Sequence, residues 1–309
     1  QELLGQRTVI DVGASIGPGD CDGLGVEVTA LSHQRKFLGE LCSVIGELHL
    51  REHVVRRQNF VAAAQVVDLA IKHRLRAVSY GRGPDAKTIR RFKDAGVMCI
   101  PTVGAPKHAA KAVELGADAV TVQGAEGGGH TGSMPTTLLV PRVLDAVKVP
   151  VIAAGGFYDG RGLAAALGYG AAGIAMGTRF LMAEESPVPR STLARYVEVD
   201  DPSHIRVSAA LDGLPQRMID NPYLLRLEAF GPLRRTLFAL RTAEAWRRQS
   251  GMSLSQMAAL GFKALRDHSY TASQTLMAAN APFLIQRAIV EGRPDEGVLP
   301  SGQVAAVIG

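Results

Sequence analysis

The sequence lacks several features that mark whole classes of protein. Its cysteines, Cys21, Cys42 and Cys99, form no CxxC pair, and their odd number argues against a disulfide framework and fits a reducing compartment. No segment reaches the roughly 18 apolar residues that span a bilayer; the longest candidate, 163–177, is largely glycine and alanine. No signal peptide is visible. We therefore predict a cytoplasmic protein that does not enter a membrane.

Aromatic residues are also scarce, at 5% of the chain. The net charge is +5, but no basic run is interleaved with aromatics, so we do not expect nucleic acid as a partner. A basic surface attracts an anionic cofactor or substrate equally well. Hydrophobic residues make up 47% of the chain and glycines number 34. This balance is typical of a globular protein with buried parallel strands and tight turns.

The middle of the chain alternates short β-prone runs with amphipathic, helix-like segments. The runs start about 21 to 32 residues apart, at 76–80, 98–103, 119–123, 151–154 and 173–176. Such alternation indicates right-handed βα units and a parallel sheet. Weaker candidates precede them at 8–12, 24–28 and 42–50. Eight strands in total predict an α/β fold of the (β/α)8 TIM-barrel class.

The composition changes after Pro215. The stretch 220–250 is rich in arginine and helical in period, with leucines expected on roughly one face at Leu224, Leu227, Leu233, Leu237 and Leu240. Two more helical stretches follow at 254–266 and 273–291. We predict a barrel over 1–217, with 1–64 atypical, then a helical cap over 218–294 and a tail, 295–309, that returns to the barrel.

The most informative segment is 123–132, with the sequence Gln-Gly-Ala-Glu-Gly-Gly-Gly-His-Thr-Gly. It follows a predicted strand, and barrel enzymes hold their active sites in the loops at the carboxyl ends of strands. Consecutive glycines let a backbone approach a flat or anionic ligand. A histidine side chain, with an ordinary pKa near 6.5, transfers protons at neutral pH. His130 is therefore the candidate acid/base; the alternative is a flexible loop with a surface histidine.

Two further strand ends carry glycine. Gly155 and Gly156 follow strand 151–154, and Gly177 and Thr178 follow strand 173–176. A helix N-terminus offers unpaired N–H groups to a phosphate, and the last two strands of a barrel often share one such site. Each segment alone is only a tight turn, but both on adjacent strands favour a phosphate site. The segment 300–303, read alone, is a loop and a helix start.

In combination these motifs resemble the nitronate monooxygenase family, also called the 2-nitropropane dioxygenase family, over 66–309. That family includes FMN-dependent enoyl-acyl-carrier-protein reductases and actinobacterial enzymes acting on coenzyme A thioesters from steroid-ring breakdown. The chain looks most like the last branch. The resemblance implies an FMN-dependent oxidoreductase, a nitronate or an acyl-CoA thioester as the small-molecule substrate, and O2 or NAD(P)H as a redox partner.

The resemblance also implies roles for individual residues. His130 would be the acid/base beside the flavin. The implied cofactor-binding residues lie at strand ends and in the tail: Gln123, Gly128, Gly155, Gly156, Met176, Gly177, Thr178, Gly302 and Gln303. Gln123 and Gly128 would contact the ring or ribityl region, and Gly302 and Gln303 would lie against the isoalloxazine.

The chain departs from the family pattern in two places. Position 127 is glycine where the family usually has alanine, and no methionine precedes Met98, although the first strand of the family normally ends in a Met-Gly segment. A second hypothesis therefore stays open, a flavin-free barrel that binds a phosphorylated metabolite or nucleotide, because both ligands present a phosphate. The remaining histidines lack metal-ligand spacing, so we predict no metal site.

Overall fold

A computed structural model describes residues 63–81, 86–266, 271–278 and 280–308. The three weaker strand candidates, 8–12, 24–28 and 42–50, lie outside the described residues. No helix within the described ranges is both long enough and apolar enough to cross a bilayer.

Five parallel strands form one sheet in the order β1-β2-β3-β5-β6. Their bounds are β1 Ala77–Tyr80, β2 Met98–Val103, β3 Val120–Gln123, β5 Val151–Ala154 and β6 Gly173–Ala175. Each observed strand matches a predicted run to within a residue at either end. All five carboxyl ends face the same side, because neighbouring strands run parallel.

Helices precede the first of these strands and connect the others. They are α1 Ala63–Lys72, α2 Ala86–Asp94, α3 Pro106–Glu114, α4 Thr136–Ala146 and α5 Gly160–Tyr169. The ends of α5 show how the sequence sets these bounds. The Asp159 side chain accepts hydrogen bonds from the N–H groups of Arg161 and Gly162, and Gly170 leaves the helix with φ 98°, a conformation that glycine adopts without strain.

The core of this unit is built from small and β-branched side chains. Every residue of β5 is buried, and the valines and alanines of β3 and β5 pack against Leu139, Val140 and Val143 of α4. Strands that are covered on both faces read as continuous apolar runs rather than alternating ones.

A second, antiparallel sheet has the order β4-β8-β7. Its strands are β4 Gly129–His130, β7 Ile205–Ser208 and β8 Gln216–Ile219. Sequence analysis predicted none of them, because β4 is only two residues long inside a glycine-rich loop and its partner lies far along the chain. In the register, His130 is opposite Gln216 and Gly129 is opposite Arg217.

The remaining elements are mostly helical. They are α6 Thr178–Leu181, α7 Arg190–Val197, α8 Pro222–Glu228, α9 Pro232–Ser250, α10 Leu254–Arg266, α11 Ala272–Met277, α12 Asn280–Ile285, a π-helix Gln286–Val290, 3-10 turns at Pro202–His204 and Pro294–Glu296, and α13 Ala305–Ile308. The predicted helix 254–266 is confirmed. The predicted stretches 220–250 and 273–291 are each divided. The assignment of a barrel, a cap and a tail as separate units stays a prediction.

The expected single leucine face over 220–250 is wrong. Leu224 and Leu227 of α8 are buried, whereas Leu233, Leu237 and Leu240 of α9 are 75%, 50% and 51% exposed. The cause is the break between α8 and α9, where proline begins the second helix and cannot continue the hydrogen-bond ladder of the first. The two helices therefore present their leucines in different directions.

Candidate active site

The glycine-rich loop that follows β3 is braced by the last residue of that strand. The Gln123 side-chain amide donates to the carbonyl oxygen of His130 at 3.0 Å and lies 3.3 Å from that of Gly128. A Cβ at Gly127 would lie 2.6 Å from Gln123 Nε2 and 2.7 Å from its Cγ. Gln123 was predicted to contact the flavin, but its side-chain amide nitrogen is bonded to the loop. A side chain at position 127 would collide with that of Gln123, so glycine is required there.

Glu126 and Thr136 join this loop to the neighbouring strand end. The Glu126 carboxylate accepts from the backbone N–H of Thr136 at 2.9 Å and lies 2.6 Å from its hydroxyl oxygen. Thr136 begins α4, and an acidic group is stabilised at a helix N-terminus. The same hydroxyl lies 2.9 Å from the carbonyl oxygen of Gly155. A single buried threonine therefore holds the loop, the helix and the turn after β5 together.

The turns after β5 and β6 have the backbone that a phosphate site needs. Gly155 and Gly156 have φ of 91° and 82°, which favours glycine. Across the part of the chain that the structure describes, no hydrogen bond is made by the N–H groups of Gly155, Gly156, Gly177 and Thr178. Because β5 and β6 are neighbours, these four donors lie on adjacent strand ends.

The C-terminal tail packs directly on these loops. The N–H of Gly302 donates to the hydroxyl of Thr178 at 2.9 Å, and the N–H of Gln303 donates to the carbonyl oxygen of Glu126 at 3.0 Å. A Cβ at Gly128 would lie 2.6 Å from the Gly302 nitrogen. The structure thus brings four sequence-predicted segments, far apart in the chain, into contact. Met176, also predicted to bind the cofactor, is partly buried and packs against the core of the sheet.

His130 projects from β4 toward a carboxylate that sequence analysis missed. Its Nε2 atom lies 2.8 Å from Oδ2 of Asp212, and the two side chains are 55% and 9% exposed. Asp212 also accepts from the side-chain amide of Gln216 at 2.8 Å and from the N–H of Leu214 at 3.1 Å. Burial raises the pKa of Asp212, but these hydrogen bonds and the charge of His130 outweigh it, so the pKa lies below its usual value.

Arg217 is a second missed residue. It neighbours Gln216 in β8, and its Nε donates to the carbonyl oxygen of Ala125 at 2.9 Å. Burial lowers the pKa of this guanidinium and nearby Glu126 raises it. The turn 212–215, Asp-Gly-Leu-Pro, carries a strong local turn signal, which could have placed a hairpin here. Nothing in the sequence alone, however, pairs that hairpin with residue 130.

The histidines other than His130 that the structure describes are His73, His108 and His204. In the described ranges, no group of three or more His, Cys, Asp or Glu side chains is placed to hold a metal ion. Three arginines of α9 differ in their contacts. Arg247 and Arg248 both pair with Glu244, whereas Arg234 stacks over the ring of Phe230 at 4.7 Å.

A five-stranded parallel sheet with helical connections, a glycine-rich loop and converging strand-end glycines are typical of an α/β barrel enzyme whose site lies at the carboxyl ends of its strands. A family model described as nitronate monooxygenase matches residues 42–309. The match begins earlier than residue 66, where sequence analysis placed the start of the resemblance. The chain belongs to the nitronate monooxygenase family, a family of flavoenzymes with the TIM-barrel fold.

The chain is similar to two CoA-ester dehydrogenases. It is 47% identical over 244 residues to (3aS,4S,5R,7aS)-5-hydroxy-7a-methyl-1-oxo-octahydro-1H-indene-4-carboxyl-CoA dehydrogenase of Rhodococcus jostii (strain RHA1), covering 78% of this chain and 68% of the relative. It is 46% identical over 255 residues to the dehydrogenase of the same name from Mycobacterium tuberculosis (strain ATCC 25618 / H37Rv), covering 82% and 72%. A probable nitronate monooxygenase of Staphylococcus aureus (strain MRSA252) is 32% identical over 194 residues, covering 59% and 54%.

Solved structures share the fold. FabK from Thermotoga maritima aligns with a TM-score of 0.60 and 26% identity, covering 99% of this chain and 85% of that one. Nitroalkane oxidase from Streptomyces ansochromogenes aligns with a TM-score of 0.56 and 24% identity, covering 79% and 62%; this likeness concerns the fold alone.

Proposed function

We propose that the protein is an FMN-dependent oxidoreductase that acts on a CoA thioester, with His130 as its acid/base. The observation that carries the cofactor assignment is the set of unbonded N–H groups at the ends of β5 and β6. Two adjacent strand ends that present free donors suit the phosphate of a flavin mononucleotide. Gly155 and Gly156 have the left-handed backbone that favours glycine, and a Cβ at Gly155 would lie 3.1 Å from the nitrogen of Gly127 in the neighbouring loop.

The residues present fit this cofactor. Gly155, Gly156, Gly177 and Thr178 would hold its phosphate, with Met176 beside them, while Gly128, Gly302 and the backbone of Gln303 would lie toward its ring. When bound, FMN supplies the exchange of a hydride with the substrate. The chain's own contribution is binding, orientation and proton transfer. Gln123 supports the ring side indirectly, because it fixes the carbonyl groups of Gly128 and His130.

The comparison of identities supports the substrate class. The CoA-ester dehydrogenases share 46–47% identity with this chain, and the probable nitronate monooxygenase shares 32%. In the described structure, the Arg234 guanidinium contacts only the ring of Phe230. Its positive charge is therefore available to bind an anionic ligand. O2 or NAD(P)H would complete the redox cycle.

The proposal is tested by the colour and reactivity of the purified protein. We expect a yellow protein whose released flavin is FMN, and an anaerobic flavin spectrum that changes on mixing with acyl-CoA substrates. Propyl nitronate serves as the comparison substrate. A colourless protein that cannot be reconstituted with FMN would support the flavin-free barrel instead. Rapid bleaching by propyl nitronate together with no response to any acyl-CoA would assign the activity to nitronates.

A further inference from the structure

We propose that Asp212 is a positioning residue that fixes the tautomer of His130 and makes Nδ1 the atom that exchanges the proton with the substrate. The inference rests on the proposed acid/base role of His130.

First, in the hydrogen bond between the two side chains, His130 is the donor and Asp212 is the acceptor. An ionised carboxylate can only accept hydrogen bonds. His130 Nε2 lies 2.8 Å from Asp212 Oδ2, so this nitrogen carries the proton in the neutral imidazole. Nδ1 is then the unprotonated nitrogen with a lone pair. In the described part of the chain Nδ1 has no hydrogen-bond partner, and the side chain is 55% exposed, so a substrate can reach the ring.

The second step is that Asp212 remains ionised and fixed. Its carboxylate collects three donors, from His130, Gln216 and the backbone of Leu214, and the residue is 7% exposed. Together these donors hold the pKa of Asp212 below its usual value, despite the burial that would raise it. A carboxylate in this state orients a neighbouring imidazole and stabilises its cationic form.

The third step is that the backbone around Asp212 is held from two sides. On one side, the antiparallel pairing of β4 with β8 places His130 opposite Gln216. On the other, the Gln274 side chain donates to the carbonyl oxygen of Gly213 at 3.2 Å, and the Asn280 side chain donates to that of Leu211 at 2.9 Å. The carbonyls on both sides of Asp212 are therefore bonded to helices α11 and α12.

The proton transfer balances without another reactant. The substrate loses a proton, and the electrons of the broken bond stay on the substrate. Nδ1 gains that proton through its lone pair, and the imidazole becomes a cation that faces the Asp212 carboxylate. In the reverse direction the same N–H returns its proton, so one residue serves as base and as acid.

The tautomer can be read directly by NMR of the holoenzyme. The chain has eight histidines, so labelling with 15N-histidine gives a small set of imidazole signals, and His130→Gln identifies the one of interest. We expect the neutral ring of His130 to carry its proton on Nε2. In Asp212→Asn the amide can either donate or accept, so we expect this preference to be lost. A proton on Nδ1 in the wild-type protein would overturn the proposal.

Turnover provides the second readout. We expect Asp212→Asn to lower kcat by about 10- to 100-fold, a part of the 10²- to 10⁴-fold that an acid/base group contributes, with flavin content and KM near wild type. In a His130→Gln background, Asp212→Asn should cause no further loss. Asp220→Asn is the matched control, because Asp220 ends the same hairpin and pairs with Arg206 away from His130.

The outcomes separate this inference from the proposed function. If His130→Gln turns over normally, the acid/base assignment is wrong, and the positioning role falls with it. If His130→Gln is impaired but Asp212→Asn matches wild type in both kcat and NMR signature, only the role of Asp212 is wrong. If Asp212→Asn and Asp220→Asn are equally impaired, the effect belongs to the hairpin and the proposal is overturned.

Discussion

Replacing Gly128 by alanine tests whether the glycine-rich loop and the C-terminal tail form one cofactor-binding unit. The added Cβ would lie 2.6 Å from the nitrogen of Gly302 and 2.6 Å from the carbonyl carbon of Ser301, whereas ordinary contact begins at 3.4 Å. Both neighbours are backbone atoms, so no side chain can rotate away. The loop and the tail must separate by several tenths of an ångström.

The cost follows from the contacts that this separation disturbs. Overpacking of a well-packed region costs about 1–3 kcal/mol. The hydrogen bond from Gly302 to Thr178, 2.9 Å long, adds about 0.5–1.5 kcal/mol if it breaks. Because every 1.4 kcal/mol is tenfold in affinity, we expect FMN to bind roughly 10- to 1,000-fold more weakly if both costs oppose binding.

The assay is FMN titration of the apoprotein, followed by flavin fluorescence, together with the urea midpoint of the apoprotein. Gly132→Ala is the matched control, since Gly132 ends the same segment and a Cβ there would come no closer than 4.0 Å to any described residue apart from its chain neighbours. Gly128→Ala protein that binds FMN as tightly as Gly132→Ala would refute the view that the tail and the loop share the cofactor.

The other predictions use the same holoenzyme. His130→Ala should retain FMN but turn over about 10²- to 10⁴-fold more slowly; near wild-type turnover from pH 5 to 9, roughly the range over which a histidine titrates, would contradict its role. Gly156→Asp and Thr178→Asp should each abolish FMN retention, because a carboxylate would replace the phosphate at the backbone donors; full flavin occupancy in either variant would exclude this phosphate site. KM for an acyl-CoA should rise with salt, and less so after Arg234 and Arg235 are both replaced by alanine; an unchanged salt dependence in that variant would remove the two arginines from the substrate site.

Local signals predicted the strands but not the pairings between distant segments. The runs that became β2 and β5 are apolar, bounded by turns and regularly spaced, so their positions follow from the sequence alone. The contact of His130 with Asp212 spans 82 residues and depends on a two-residue strand, and no periodicity reports such a pairing.

The break between α8 and α9 and the ion pairs of α9 both have local signals in the sequence. The pair Gly231-Pro232 lies at the break between α8 and α9, after which the leucines of α9 are exposed. A Gly-Pro pair is by itself a turn signal. The pairing of Glu244 with Arg247 and Arg248 follows helical i,i+3 and i,i+4 spacing. Both features follow from neighbouring residues, so the sequence alone predicts them.

The side-chain amides of Gln274 and Asn280 constrain how this protein can diversify. They bond the carbonyls on either side of Asp212, so the helices that carry them also set the geometry of the histidine. In a chimaera with residues 271–290 taken from a relative, the surface of this region would change. The position of Asp212 relative to His130 would change with it. A change of substrate specificity through this region therefore requires that Gln274 and Asn280 are retained while the residues around them are substituted.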